Sequence, residues 1–260
     1  MNITFSKYHG AGNDFIIIDN RNNNIVLANS EVKYLCNRHL GIGADGLMLL
    51  NTDNEYDFRM VYYNSDGNES TMCGNGGRCI TAFASKLGII KENASFIAID
   101  GMHTAEIIED HDEIKIVKLK MSDVSTIIKK DNYFLLNTGS PHYVEFVEDA
   151  ITIDVQKKGR EIRYNNLFAP NGLNVNFVEI HEDYLFVRTY ERGVEDETLS
   201  CGTGVTASAL AYSFQKDIQI VTIETKGGKL SVSFEKENDS YKNIHLQGPA
   251  TFVYEGKIQV

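Results

Sequence analysis

The chain has 260 residues, of which 42% are apolar and 23% charged, the balance of a globular protein with a real core. That length suits one large domain or two of about 130 residues each. A net charge of -11 with no cluster of Lys and Arg argues against a nucleic-acid partner, and neither a secretory signal nor an apolar run of membrane-spanning length is present, so a soluble cytoplasmic protein is expected.

In chain order, runs rich in Ile, Val, Phe and Tyr predict strands at Phe15 to Ile18, Leu47 to Leu50, Phe58 to Tyr63, Phe96 to Ile99, Ala105 to Ile108 and Ile114 to Leu119. Three helices are expected. Residues 30–40 open on Ser30 as N-cap and set Val32, Leu35, Cys36 and Leu40 on one side. Residues 77–88 carry Ile80, Phe83, Ala84 and Leu87 at helical spacing, and residues 205–215 do the same with Ala207, Leu210, Ala211 and Phe214.

The last two helices follow the same spelling, a Cys-Gly-x-Gly box at Cys73 and again at Cys201, each with a glutamate four residues earlier. The echo extends upstream, since 57–76 overlays 184–204 with one inserted residue, and 7–18 overlays 136–147 more weakly. The expectation is an α/β chain of the α+β type, made of two pseudo-symmetric lobes from an internal duplication with an active-site cleft between them. The lobes would be 1–115 plus 250–260, and 116–249, with the last strand, Ala250 to Tyr254, returning to the first.

A cysteine at a glycine-rich helix start lies at the positive end of the helix dipole, beside backbone N–H groups without helical partners. Such a place lowers a thiol pKa toward neutrality, and glycine lets the backbone approach an anion closely. Two such helix starts facing one another would hold a carboxylate with its α-carbon between Cys73 and Cys201. One thiolate could then remove the α-proton while the opposite thiol delivers another, inverting the centre.

Rival readings fit less of the sequence. A Cys-based phosphatase needs Arg six residues after its cysteine, but Cys79 and Ala207 stand there and Arg78 misses by one. A thiol hydrolase pairing a cysteine with His142 leaves the second cysteine unexplained. GIGADG (41–46) matches a dinucleotide-binding spelling but precedes its strand instead of following it. Cys36 and Cys79 fall within helical stretches and read as core thiols; with no CxxC or HxxxH pair, no metal site is expected. Asn13, Asn64 and Asn174 lie in or beside turns, where Asn is common for backbone reasons alone.

HGAGNDF (9–15), GIGADG (41–46), YNSDGNESTMCGNGGRC (63–79), SPH (140–142), NVNF (174–177) and YERGVEDETLSCGTG (190–204) together resemble the diaminopimelate epimerase family. The two Cys-Gly-x-Gly boxes alone also resemble proline racemases; the Asn in MCGNG and the ERG motif point to the epimerases. The resemblance implies interconversion of LL- and meso-diaminopimelate with no cofactor and no metal, in lysine and cell-wall precursor synthesis. It further implies two lobes that close on substrate, and a homodimer. It makes Cys73 and Cys201 the acid/base pair, and His142 and Glu191 the groups that tune them. Gly74, Asn75, Gly202 and Thr203 become the amides that hold the reacting carboxylate, Asn13 a neighbour of the reacting centre, and Asn64, Asn174 and Arg192, with Glu191, the grip on the distal end. Ser140, where the family pattern often has Asn, and Gly46, where some members have Gln, depart from it. A related isomerase of proline or hydroxyproline, or a non-catalytic amino acid binding protein, remains as an alternative; the isomerase would be little affected by loss of Arg192, and the binding protein would tolerate loss of a thiol.

Overall fold

Phe15–Ile18, the most apolar run of the first half, is a strand buried at all four residues, as a strand covered on both faces must be. It belongs to the first of two units into which the chain divides, Met1–Leu119 with Gly248–Val260, the second being Lys120–Gln247. The structure is a computed structural model and describes residues 2–260.

Unit 1 runs β1 (Asn2–Gly10), β2 (Asn13–Asp19), α1 (Asn29–Cys36), β3 (Gly46–Asn51), β4 (Phe58–Asn64), β5 (Glu69–Ser70), α2 (Gly74–Lys86), β6 (Asn93–Ala98), β7 (Gly101–His111) and β8 (Ile114–Lys120). β2 pairs antiparallel with β1 and parallel with β3; β4 pairs antiparallel with β3 and parallel with β6; β6, β7 and β8 form an antiparallel meander. The C-terminal segment pairs antiparallel with both β8 and β1, closing the ring. α2 packs on β1, β2, β3 and β7, and every residue from Gly74 to Ala84 is buried. A helix buried all round is a helix enclosed by protein, here by strands.

Unit 2 continues with β9 (Ile127–Lys129), β10 (Phe134–Asn137), β11 (Pro141–Val147), α3 (Val155–Arg163), β12 (Asn174–Ile180), β13 (Leu185–Glu191), β14 (Asp196–Thr198), α4 (Gly202–Ser213), β15 (Ile220–Thr225), β16 (Gly228–Glu237) and β17 (Ser240–Gln259). Its ladders repeat those of unit 1 one for one. β10 to β13 pair antiparallel, parallel, antiparallel; β13 pairs parallel with β15; β15, β16 and β17 form a meander. Residues 121–129 complete this ring, through a bridge from Val124 to Tyr241 and the pairing of β9 with β10. α4 takes the place that α2 has in unit 1, packed on β10, β11, β12, β13, β15 and β16. The fold is thus a duplicated mixed α/β barrel with a helix inside each ring.

Several local expectations need correction. The first helix starts at Asn29 after Ala28 and ends at Cys36, so Ser30 lies in its first turn and is not the cap. The Glu31 carboxylate accepts from the Ala28 N–H at 2.7 Å instead. The helix stops because the Asn37 side chain accepts from the N–H groups of His39 and Leu40, both at 2.9 Å, leaving Leu40 exposed beyond it. The two later helices begin at their glycines, three residues earlier than the apolar stripes indicate. The fourth helix, α3, is too polar to betray itself by periodicity. Asp154 caps it by accepting from the Lys157 N–H at 3.0 Å, and it buries only Val155 and Gly159.

Gly159 is what lets α3 lie flat on β13, since a Cβ there would fall 2.4 Å from Tyr190 Cβ and 2.6 Å from its Cγ. Gly159→Ala, which by propensity alone favours a helix by about 1 kcal/mol, is expected to lower the urea unfolding midpoint, because overpacking a tight contact costs about 1–3 kcal/mol. Equilibrium urea unfolding of the variant against the parent checks the sign.

Candidate active site

Cys73 and Cys201 are each the residue that caps a buried helix. Both have extended backbone, with φ/ψ of -98°/135° and -117°/111°, and neither side chain makes a capping hydrogen bond. Gly74 and Gly202 are the first helical residues. The helical ladder begins only with the Gly77 N–H on Cys73 O at 2.7 Å and the Val205 N–H on Cys201 O at 2.9 Å. Residues 74–76 and 202–204 therefore present N–H groups that the helices do not use, with the dipole behind them. All four cysteines are free thiols.

In unit 1, Asn13 opens β2 and its Oδ1 faces both the Cys73 Sγ at 3.7 Å and the Asn75 Nδ2 at 3.2 Å. The amide cannot be turned the other way. Its Nδ2 donates at 2.7 Å to Asp45, which only accepts, and the Asn75 Oδ1 receives the Arg78 Nη2 at 2.9 Å, which only donates. Asp45 is in turn bound by Arg38 at 2.8 Å, and Arg38 spans Asp14, whose second cation is Lys7. These two cations hold the Asp14 carboxyl down at about 2, against the opposing effect of burial. GIGADG is thus a support for Asn13, reached through its aspartate. Gly46, its last residue, has no room for a side chain: a Cβ would lie 2.5 Å from the Tyr62 ring. Asn64 ends β4 opposite Gly46 and is exposed, with its backbone N–H on Asn68 O at 3.0 Å.

In unit 2, a chain of hydrogen bonds leads to Cys201, and its direction is set by the backbone. The Asn176 Nδ2 donates to Tyr143 O at 2.8 Å and to the His142 Nδ1 at 3.1 Å. Its Oδ1 accepts from Thr189 at 2.9 Å. His142, 1% exposed, is pushed down to about 3 by burial first and the Arg192 charge second, so its ring is neutral with the proton on Nε2. That N–H donates to the Ser140 Oγ at 3.1 Å. The Asn174 Nδ2 also donates to Ser140, at 2.9 Å, because its Oδ1 is taken by the Arg192 N–H at 2.8 Å. Ser140 thus passes its own proton to the Thr203 Oγ1 at 3.3 Å, and Thr203 points its hydroxyl at the Cys201 Sγ, 3.4 Å away. Gly204 is required beside this chain, since a Cβ there would fall 2.3 Å from the Asn176 Oδ1.

Within unit 1 the hydrogen bonds join the expected residues Asn13, Cys73 and Asn75; within unit 2 they join His142, Asn174, Thr203 and Cys201. Glu191 and Arg192 end β13, both partly buried, with the Arg192 Nη1 3.4 Å from Asn171 O. Arg192 forms no ion pair among the described residues, so its fork is open to a carboxylate. Sequence reasoning missed Arg78, Asn176 and the carrying role of Ser140. Asn176 could have been found, because it lies two residues from Asn174 on a strand and shares its face. The repeated glutamates part company: Glu197 holds Arg188 at 2.7 Å and Lys226 at 2.9 Å, whereas Glu69 is exposed.

Two barrels, each enclosing a helix that begins directly after a cysteine, define a class of duplicated mixed α/β-barrel proteins. The model of the diaminopimelate epimerase family matches residues 5–127 and 134–253. A diaminopimelate epimerase of Flavobacterium psychrophilum is 53% identical over 256 residues, covering 97% of this chain and 98% of the relative. That of Chlorobaculum tepidum is 43% identical over 257 residues, covering 96% and 98%. Among solved structures, a phenazine biosynthesis protein of the PhzF family from Bacillus anthracis superposes with a TM-score of 0.80 at 15% identity over 100% of both chains. A hydroxyproline epimerase from Agrobacterium vitis gives 0.72 at 13%, covering 99% and 92%. At such identities the two structures bear on the fold alone. The chain belongs to the diaminopimelate epimerase family.

A histidine held neutral in the fold and free to protonate when unfolded stabilises the protein fully above pH ~6.5. It gives up that stability as pH falls toward about 3. Acid unfolding is expected to steepen below pH ~6.5 by up to about 1.4 kcal/mol per pH unit, and His142→Gln should remove that component. Nitrogen NMR of the ring should show a neutral Nε2–H tautomer with no titration between pH 5 and 8.

Proposed function

We propose that the chain is a diaminopimelate epimerase, interconverting the LL and meso isomers without a cofactor and with Cys73 and Cys201 as its acid/base pair. The observation that carries the mechanism is the matched placement of two free cysteines at the starts of two enclosed helices. The symmetric task of inversion asks for two such groups. A thiolate removes the α-proton, a thiol on the other face of the α-carbon returns one, and the roles exchange in the reverse direction. The N–H groups of Gly74 and Asn75, and of Gly202 and Thr203, hold the reacting carboxylate and stabilise the charge that spreads onto it in the transition state. Asn13 sits at the reacting centre. The distal amino acid end is held by Asn64, Asn174 and Arg192 with Glu191, while His142, through Ser140 and Thr203, and Glu191 tune the thiols. The active species is a homodimer.

Incubation with LL-diaminopimelate in deuterated water is expected to yield meso product carrying one deuterium at the inverted α-carbon; product without label rules out the proton-exchange mechanism. Cys73→Ser and Cys201→Ser should each lose about 10²–10⁴ in turnover. Cys36→Ser should not, since Cys36 is buried and pushed up to about 12. Arg192→Ala should raise KM about ten- to a hundredfold, the loss of a charge-assisted contact worth about 1.5–3 kcal/mol. Size exclusion with light scattering tests the dimer.

A further inference from the structure

Arg78 is the largest fully buried side chain of the protein, at 0% exposure. It curls back along α2 toward the helix start, with Nη1 on Gly74 O at 3.1 Å, Nη2 on the Asn75 Oδ1 at 2.9 Å and Nε on Pro249 O at 3.5 Å. All three partners are neutral, and among the described residues no carboxylate pairs with it. Arg188, the other deeply buried arginine, shows what such a group ordinarily has: a two-pronged bond to Glu197 at 2.7 and 2.8 Å. A guanidinium cannot shed its proton to escape, so a buried one needs an anion nearby.

The groups around it narrow the choice. On β1, Tyr8 is pushed far up by burial, and on α2 itself Cys79 is likewise pushed far up, so both stay protonated. The carboxylates of the neighbouring loops are engaged elsewhere or lie a step away: Asp45 has Arg38 at 2.8 Å and reaches the site only through Asn13, while Asp100 meets the His103 Nε2 at 3.2 Å and accepts the Met72 N–H at 3.1 Å. Cys73 remains. It caps α2 directly before Gly74 and Asn75, the two residues that hold the guanidinium through Gly74 O and the Asn75 Oδ1, and it is only partly buried, so its ionised form is not penalised as that of Cys79 is. The Asn13 Oδ1 facing its sulfur at 3.7 Å favours the protonated thiol, but a thiol is a weak donor and a full buried charge outweighs it. The helix start adds to the same side.

We propose that Arg78 is the counter-charge of a Cys73 thiolate, a positioning residue that makes Cys73 the ionised thiol of the resting protein. Its use in catalysis rests on the epimerase reading above; the charge pairing does not. Unit 2 has no equivalent. The position five residues after Cys201 is Thr206, whose hydroxyl donates to Gly202 O at 2.9 Å, the counterpart of Gly74 O. There the Cys201 sulfur meets the neutral Thr203 hydroxyl at the end of the histidine chain.

The test is the pH dependence of iodoacetamide alkylation of Cys73, read on its own peptide by mass spectrometry. In the unmodified protein the midpoint is expected at least one pH unit below the roughly 8.5 of a free thiol; a midpoint at or above that value overturns the proposal without any variant. Arg78→Gln should raise the midpoint by at least one unit and cut the alkylation rate at pH 7 about tenfold, while Arg78→Lys, which keeps the charge, should restore more than half of the shift. Equal midpoints in parent and Arg78→Gln, in protein whose circular dichroism shows it folded, also overturn it. If Arg78→Gln does not fold, the Arg78→Lys and parent midpoints decide. Shifted alkylation without deuterium exchange into diaminopimelate would sink the epimerase reading and leave the charge pairing standing; exchange with an unshifted midpoint would do the reverse.

Discussion

The constraint on which the rest depends is the enclosure of α2 and α4 within rings of strands. A helix sealed on every side can reach the outside only through its ends. The N-terminal end is also where the backbone offers unused N–H groups and a partial positive charge. Placing a cysteine at the cap therefore puts its thiol where a sealed helix is open. The glycines follow too. Gly204 sits where a Cβ would fall 2.3 Å from the hydrogen-bonded Asn176 Oδ1, and Gly77 where one would press on Met72 and Leu119, so small residues let each helix start sit close to its surroundings. The anion-binding character of such a turn comes with that steric need.

The two helix starts are alike in backbone and unlike in what supports them. Unit 1 keeps a guanidinium with neutral hydrogen-bond partners near Cys73; unit 2 keeps a neutral imidazole three hydrogen bonds from Cys201. The difference in scale decides how each behaves. An uncompensated buried charge is worth several kcal/mol, against about 1 kcal/mol for a hydroxyl hydrogen bond. An arginine fixes the protonation of its thiol over a wide pH range, whereas a threonine hydroxyl can follow the sulfur through both states, donating to the thiolate or accepting from the thiol. A duplicated scaffold thus carries an asymmetric pair of supports.

The sequence carried the cysteines, the glycines and the repeat plainly, because all three are properties of short strings. Much of the supporting structure was not legible for physical reasons. The stripes Ile80, Phe83, Ala84, Leu87 and Ala207, Leu210, Ala211, Phe214 suggest helices with one buried face, and on that reading Arg78 points to solvent. Only the closed ring of strands makes every face a buried face. Asn176 shares a strand face with Asn174, but its partners are fixed only when β11 and β12 pair in register and bring it to Tyr143 O and His142. α3 has too few apolar residues to show a period, and its identity as a helix depends on Asp154 and on Tyr190, which is distant in sequence. Local pattern reveals what a segment is made of, and long-range pairing reveals what its polar residues are for.

The way the rings close bears on how the duplication is maintained. In unit 1 the ring is completed by Gly248–Val260, which pairs with β8 and β1, and that segment is the continuation of the strand that ends the meander of unit 2. In unit 2 the closing segment, 121–129, is the continuation of β8. Each repeat therefore hands its exit strand to the other's ring. Phe252 packs edge-on against Tyr8 at 5.5 Å and lies under the Lys86 ammonium at 3.5 Å, so the C-terminal segment contributes to the core of unit 1 as well as to its edge. A half chain cut at either junction leaves one ring with an unpaired strand edge over an apolar interior, an arrangement that invites aggregation. Exchange of exit strands makes the stability of each ring, and with it the seat of each cysteine, a property of the whole chain.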